Sequence, residues 1–466
     1  MHIKTLILAP ALALLAACGG GGGGSSSTTT TPATPTLQSI TVTPANQTVA
    51  AGSTLQLAAT GTYSDGKSSA ISSGITWSAK GSNVSVGSSG LVTAKTVGSD
   101  TVTATVGSVS GSTSITVSYP WTDLFAGGNQ TLALKKEGSL WSWGSNGWGQ
   151  LGDGTTSNRS SPVAVSGAVL TWKQAASGEF HTIAIRTDGT LWAWGFNQNG
   201  QLGTGTTSDR NVPTQVGTSK DWVWVAAGKA HSLAINKGGQ LYAWGRNFNG
   251  QLGDGTKADK LVPTRIGTFT NWKTVVAGAT HSVGLRADGT LWSWGANDVG
   301  QLGTGNTTEA TAPVQIGTAT WVAVAAGGQH SLAIRADGAL FAWGSNGSGQ
   351  LGDGAAADQS APVQVGTETN WANVAAGERF TLAVKSSGTL WAWGSNSDGQ
   401  LGLGSTLDKN SPTQVGSANS WRYVTAGLRH AYGIQTDSSL WGWGRNVEGQ
   451  LGLGNNGLVL LPTVLP

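Results

Sequence analysis

A unit of about fifty residues is written seven times between Trp121 and Pro466, and its Gly-Gln-Leu-Gly tetrapeptide begins at Gly149, Gly200, Gly250, Gly300, Gly349, Gly399 and Gly449. A fixed period of that length restricts a chain to a propeller or a solenoid. Each copy carries four short strand signals. In the fifth copy they are Trp321–Ala326 (A), His330–Ile334 (B), Ala339–Trp343 (C) and, for D, Pro362–Val365 by the repeat's own phase or Pro313–Ile316 just upstream. Arg335-Ala-Asp-Gly338 joins B to C as a tight hairpin, its glycine supplying the positive φ. Seven copies of four antiparallel strands describe an all-β chain dominated by a seven-bladed β-propeller. Most residue types that look special recur in the copies and serve the scaffold. Specificity belongs where the copies disagree.

The tryptophans keep the same register. Strand A begins with Trp121, Trp172, Trp222, Trp272, Trp321, Trp371 and Trp421, and strand C ends with Trp143, Trp194, Trp244, Trp294, Trp343, Trp393 and Trp443. Two residues before those stand Trp141, Trp192, Tyr242, Trp292, Phe341, Trp391 and Trp441. Nineteen of the 22 tryptophans fall at these positions, so packing between blades accounts for them. The functional alternative is an aromatic row that stacks on sugars. The run Trp294-Gly-Ala-Asn-Asp-Val-Gly-Gln-Leu-Gly303, after Ala277-Gly-Ala-Thr-His-Ser282, has a counterpart in every copy. This pattern resembles the regulator of chromosome condensation repeat family over residues 121–466. The resemblance implies the propeller but leaves function open, because family members range from a nuclear exchange factor for a small GTPase to secreted bacterial inhibitors of β-lactamase. No exchange-factor residue carries over to this chain.

The link from C to D runs about seventeen residues, while D to A takes only a few. A long link suits a crossing between blades. Blades are therefore expected in the order D-A-B-C, with Pro462–Leu465 completing the first blade and closing the ring.

Three segments precede the propeller of residues 119–466. Residues 1–17 show a short polar start with His2 and Lys4, an apolar stretch from Leu6 to Leu15, and then Leu15-Ala-Ala-Cys18. This looks like the lipobox of bacterial lipoproteins. It implies cleavage before Cys18 and lipid on its thiol, a stable attachment at ~0.8 kcal/mol per buried methylene. Cys18 is the only cysteine, so no internal disulfide is possible. No other apolar run approaches the ~18 residues of a membrane-spanning helix. Residues 18–36 are rich in Gly, Ser and Thr and read as a flexible tether with a reach of roughly 20–25 Å. Residues 37–118 alternate as short strands punctuated by turn residues, which suggests a small β-sandwich. Ile40-Thr-Val-Thr-Pro44, Thr60-Gly-Thr-Tyr-Ser-Asp-Gly66, Thr76-Trp-Ser78 and Gly90-Leu-Val-Thr-Ala94 resemble the bacterial immunoglobulin-like group 2 domain. That likeness implies a spacer or an adhesion module.

Catalytic and cofactor signals are weak. Charged residues make up 11% of the chain, and 26 basic against 23 acidic side chains give no electrostatic case for nucleic acid. Gly61-Thr-Tyr-Ser-Asp-Gly-Lys-Ser68 matches a phosphate-loop pattern, but Ser68–Gly74 has neither the length nor the composition for the helix that pattern requires. It reads as a turn. His181, His231, His281, His330 and His430 open strand B, with Gln130 and Phe380 in the first and sixth copies. Spread round a ring they cannot converge on a metal, and they are expected to bond adjacent loop backbone. No catalytic residue, metal or cofactor is expected.

In an up-and-down blade the A–B and C–D loops share one face. There the copies diverge: Glu179-Phe180, Lys229-Ala230, Glu378-Arg379, Phe380 and Leu428-Arg429 in A–B, and Gly147-Trp148, Phe196, Arg246, Phe248 and Arg445 in C–D. Exposed Trp, Phe and Arg on one rim are the usual anchors of a protein interface. The expected partner-binding set is therefore Trp148, Phe180, Phe196, Arg246, Phe248, Arg379, Phe380, Arg429 and Arg445. The expectation as a whole is a monomeric, non-catalytic lipoprotein of the bacterial cell envelope, periplasmic or surface-exposed, whose propeller binds a protein or peptide. A carbohydrate-binding adhesin and an exchange-like activity are the rivals.

Overall fold

The computed structural model describes residues 33–167 and 171–465. The leader, Cys18 and most of the tether lie outside that range. Every regular element is a β-strand, and no helix among the described residues is long and apolar enough to cross a membrane.

The first unit holds a four-stranded sheet in the order Gln47–Ala50, Val109–Ser118, Gly98–Val106, Thr76–Lys80. Two three-stranded sheets accompany it, Leu37–Thr43/Ala58–Tyr63/Ser68–Ala70 and Thr54–Gln56/Leu91–Ala94/Val84–Val86. Alternate residues such as Ile40, Val42, Val102, Ala104, Ile115 and Val117 face a common core, as the period of two demands. The phosphate-loop look-alike is a hairpin. Tyr63 N–H donates to Lys67 O, and Gly66 takes the left-handed φ of 77° that its turn requires.

Seven four-stranded antiparallel sheets follow, each built from one copy. In the first blade the strands are Trp121–Ala126 (A), Gln130–Lys135 (B), Leu140–Gly144 (C) and Arg159–Ala164 (D). The last blade has Trp421–Ala426, His430–Gln435, Leu440–Gly444 and Val459–Val464 in the same order. Trp441 pairs with Val464 and Gly442 with Thr463, so the C-terminal strand lies beside strand C of its own copy. The expected D-A-B-C order is therefore wrong; blades run A-B-C-D and no strand is exchanged to close the ring. The C–D link is long for another reason. It folds back on itself and reaches over to the next blade, where Gly154 N–H donates to Asn211 O.

That reach explains the tetrapeptide. Gln150 O accepts hydrogen bonds from Trp194 Nε1 and Thr182 Oγ1 of the following blade, both at 2.9 Å, while Leu151 is buried. Gly152 has φ +69°, and a Cβ there would meet Trp194 Nε1 at 2.6 Å. Only glycine fits against that indole. Core clusters accordingly span pairs of blades: Leu382, Leu390, Leu401 and Val415 of blade six enclose Trp421 and Trp443 of blade seven. The seventh blade meets the first in the same way, with Trp121 and Trp143 packed among Tyr432, Leu440, Leu451 and Leu465.

Candidate functional site

Backbone bonds place the two variable loops together. Phe196 N–H donates to Phe180 O, Arg246 N–H to Ala230 O, and Arg445 N–H to Arg429 O, each at 2.9 Å. The C–D loop is held from both sides by repeated residues. Asn146, buried, accepts from Leu151 N–H at 3.0 Å and donates to Thr155 O and Ser157 O, while Gln150 Oε1 accepts from Trp148 N–H at 2.9 Å. Residues 147–148 vary between these two clamps, so the scaffold presents them rigidly.

The expected site residues separate into three groups. Trp148 of blade one, 42% exposed, packs edge-on against Phe196 of blade two with ring centroids 4.8 Å apart. Phe180 continues the cluster at 6.4 Å from Phe196, and both phenylalanines are half-buried. Phe248, 67% exposed, stands on blade three beside exposed Arg246 in sequence. Arg379 is exposed, and neither it nor Arg246 pairs with a carboxylate among the described residues. Arg429 and Arg445 are engaged: both reach Asp398 at 3.5 Å, Arg429 also meets Glu378 at 3.2 Å, and Arg445 meets Glu448 at 3.1 Å. Burial alone would raise the Glu448 pKa, but hydrogen bonds from Arg445 and Gln450 outweigh it and hold the carboxylate below its ordinary range.

Phe380 is a correction. It is wholly buried in the core between blades six and seven, because it occupies the position that histidine fills in five other blades. Its departure from the repeat is a packing substitution with no surface to offer a partner. Asp398 and Glu448 were missing from the sequence reading. Asp398 sits in the C–D loop of blade six and Glu448 in that of blade seven beside Arg445, and no periodic signal marks which carboxylate will meet which arginine.

The histidines form an inner girdle. Nε2 of His181, His231, His281, His330 and His430 lies 2.9–3.2 Å from the hydroxyl of Ser232, Ser282, Ser331, Thr381 and Thr131 respectively, always on the next blade. The partner is thus a neighbouring hydroxyl and not the adjacent loop backbone. Each hydroxyl gives its single proton to a glutamine carbonyl, as Ser232 does to Gln201 O at 2.8 Å. Nε2 must then be the donor, which assigns the Nε2–H tautomer. Burial pushes the imidazole pKa down to about 3 in His181, His231, His330 and His430, and to about 4 in His281.

Five of the seven aromatics that stand two residues before the strand-C tryptophan are capped, all but Tyr242 and Trp441 among the described residues. Lys135 Nζ lies 3.8 Å from the Trp141 ring centre, the Arg186 guanidinium 3.7 Å from Trp192, and Lys385 Nζ 3.8 Å from Trp391. These faces are occupied by the protein's own cations, which argues against a sugar-stacking row there.

The A–B tips also ring a shallow cavity of about 190 Å³, walled by Ala-Gly backbone and bordered by the Lys229–Glu179 ion pair at 3.2 Å. It is the mouth of the propeller's central channel.

Comparisons with known proteins agree with this architecture. A family model for the RCC1-like domain matches residues 268–466, and one for the regulator of chromosome condensation (RCC1) repeat matches residues 137–185, 188–235 and 238–285. The bacterial Ig-like domain (group 2) matches residues 36–117. Among solved structures, human WBSCR16 superposes with a TM-score of 0.64 at 24% identity, covering 70% of this chain and 94% of that one. Prp20p from Saccharomyces cerevisiae, described for its binding to Gsp1p and histones, gives 0.60 at 28% identity over 66% of this chain and 80% of that one. By sequence, the mitochondrial RCC1 domain-containing protein RUG3 of Arabidopsis thaliana is 35% identical over 103 residues, which are 22% of this chain and 23% of that protein. The probable E3 ubiquitin-protein ligase HERC4 of Mus musculus is 42% identical over 94 residues, 19% of this chain and 9% of that protein. The chain thus spans a quarter or less of these two relatives, and the likeness is one of repeats. It joins a group 2 bacterial immunoglobulin-like domain to a seven-bladed propeller of the regulator of chromosome condensation repeat family.

Proposed function

We propose that the propeller is a non-catalytic docking platform that binds a protein or peptide on its A–B/C–D face, and that lipid on Cys18 holds the chain at the bacterial cell envelope. The Trp148–Phe196–Phe180 cluster carries the reading: rigidly clamped aromatic surface at a blade junction, with Phe248 and Arg246 on the next blade as further anchors. The protein-binding role described for Prp20p, whose propeller this one resembles, supports it. Arg429 and Arg445, tied to their own carboxylates, serve as rim.

The test is capture of partners from envelope extracts by the purified chain, beside a variant carrying Trp148→Ala, Phe196→Ala and Phe248→Ala. A partner retained by the parent and lost from the variant is expected. Equal capture by both would remove this face from the proposal. For the anchor, Cys18→Ser is expected to move the chain from the membrane to the soluble fraction; an unchanged distribution would refute lipid attachment there.

A further inference from the structure

The third position of strand A differs in every blade: Asp123, Gln174, Trp224, Thr274, Ala323, Asn373 and Tyr423. Three of these blades, the first, second and seventh, are consecutive round the ring, and the third follows them. Asp123, Gln174, Trp224 and Tyr423 line one cavity of about 390 Å³ in the central channel, together with Phe125. That volume suits a small ligand. Two of the lining groups are acceptors, and one of them is buried without a donor. Gln174 Oε1 is buried and has no hydrogen-bond partner among the described residues, a condition that is costly unless something fills it. Asp123 is exposed at the cavity and accepts no side-chain hydrogen bond among them; partial desolvation raises its carboxyl pKa more than nearby Arg422 lowers it. The remaining walls are aromatic. Trp224 is fixed in place by a 2.8 Å hydrogen bond from Nε1 to Val275 O, and it is half-buried, as are Phe125 and Tyr423.

A carboxylate, an unpaired amide oxygen and three aromatic rings in one small channel cavity ask for positive charge, N–H donors and an apolar body together. From this juxtaposition we infer that the channel holds a binding site for a small protonated amine carrying an apolar group. Asp123 and Gln174 Oε1 accept its N–H protons, and Phe125, Trp224 and Tyr423 surround it. Lys173, exposed on the same wall, limits the site to a single positive charge. The site is independent of the A–B/C–D surface, since its residues lie on the inner strands.

Benzylammonium, its neutral twin benzyl alcohol, and benzyltrimethylammonium, which keeps the charge without N–H groups, are the probes. Calorimetric titration into the full chain is expected to show saturable one-to-one binding of benzylammonium, with each of the other two weaker by about tenfold or more. Asp123→Asn is expected to lower benzylammonium affinity by about tenfold or more, whereas Trp148→Ala leaves it unchanged. Equal binding of amine and alcohol, no saturable binding of the amine, or an effect of Trp148→Ala equal to that of Asp123→Asn would each overturn the inference. The comparison of ligands on the parent chain decides the matter even if Asp123→Asn fails to fold.

Discussion

Each girdle histidine is a neutral ring held in a dry seam, and this couples the fold to pH. The folded pKa of about 3 to 4 lies below the ~6.5 of an exposed imidazole. The unfolded chain therefore takes up the proton first. The stability that depends on neutral rings is complete above about pH 6.5 and is lost as pH falls, by up to about 1.4 kcal/mol per unit for each histidine. Urea midpoints are expected to drop steeply between about pH 6 and pH 4. His430→Gln, which installs the side-chain type the first blade already carries as Gln130, is expected to make that slope shallower. A slope unchanged by the substitution would show that the histidines are not its source. Nitrogen chemical shifts should report Nε2–H tautomers throughout, because each partner hydroxyl has its proton committed to a glutamine carbonyl. The sequence revealed that these histidines were structural from their recurrence. It could not reveal the partner, since a hydroxyl 50–51 residues downstream, or 299 upstream for His430, becomes a neighbour only when blades pack. Phe380 was misread for the same reason: divergence in sequence marks a functional position only if the position reaches the surface.

At the level of one blade, the seventh shows how the ring accommodates an exception. Its strand B carries Tyr432 where other copies have Leu, Ile or Val, and its strand C carries Gly442 where they have Ala or Ser. Tyr432 OH accepts from Trp143 Nε1 at 2.8 Å and donates to Gln450 O at 2.7 Å, so it inserts a hydroxyl into the contact that the indole makes directly elsewhere. A Cβ on Gly442 would lie 2.8 Å from Tyr432 Cε1. The two residues are thus one compensated pair at the closing junction. Tyr432→Phe is expected to cost about 1–3 kcal/mol by stranding the Trp143 N–H. Gly442→Ala is expected to destabilise the parent but to be neutral or stabilising in a Tyr432→Leu background, a change of sign that a double-mutant cycle by denaturant unfolding would measure. A cost for Gly442→Ala that is the same in both backgrounds would refute the pairing. The strand signals, hairpins and tryptophan register were legible because they repeat. The assignment of strand D was not, because loop length alone does not distinguish a crossing from a link that folds around Asn146 and leans on the next blade.

The ring as a whole closes by packing the seventh blade against the first with the same backbone bridge used at every other junction. Gly454 N–H donates to Ser160 O as Gly154 N–H does to Asn211 O, and Thr131 Oγ1 donates to Gln450 O as Thr182 Oγ1 does to Gln150 O. Tyr119 and Leu465 share the closing core cluster, which places the two ends of the propeller side by side. Every sheet of the ring is built from four consecutive strands, so the chain can be opened at any D–A link without dividing a sheet. A circular permutant of residues 119–465 that starts at Asp221, with its old ends joined by a short Gly-Ser linker, is expected to unfold cooperatively. Its melting temperature should fall within several degrees of the parent propeller. A permutant opened in the C–D loop, starting at Thr206, separates strands C and D of one blade and makes that sheet depend on contacts between the chain's ends. It should melt lower and less cooperatively. Strand exchange would reverse the ranking, because a D-A-B-C ring keeps its sheets intact when cut between C and D. Melting the two permutants side by side therefore tests the architecture itself, independently of whatever the channel or the outer face binds.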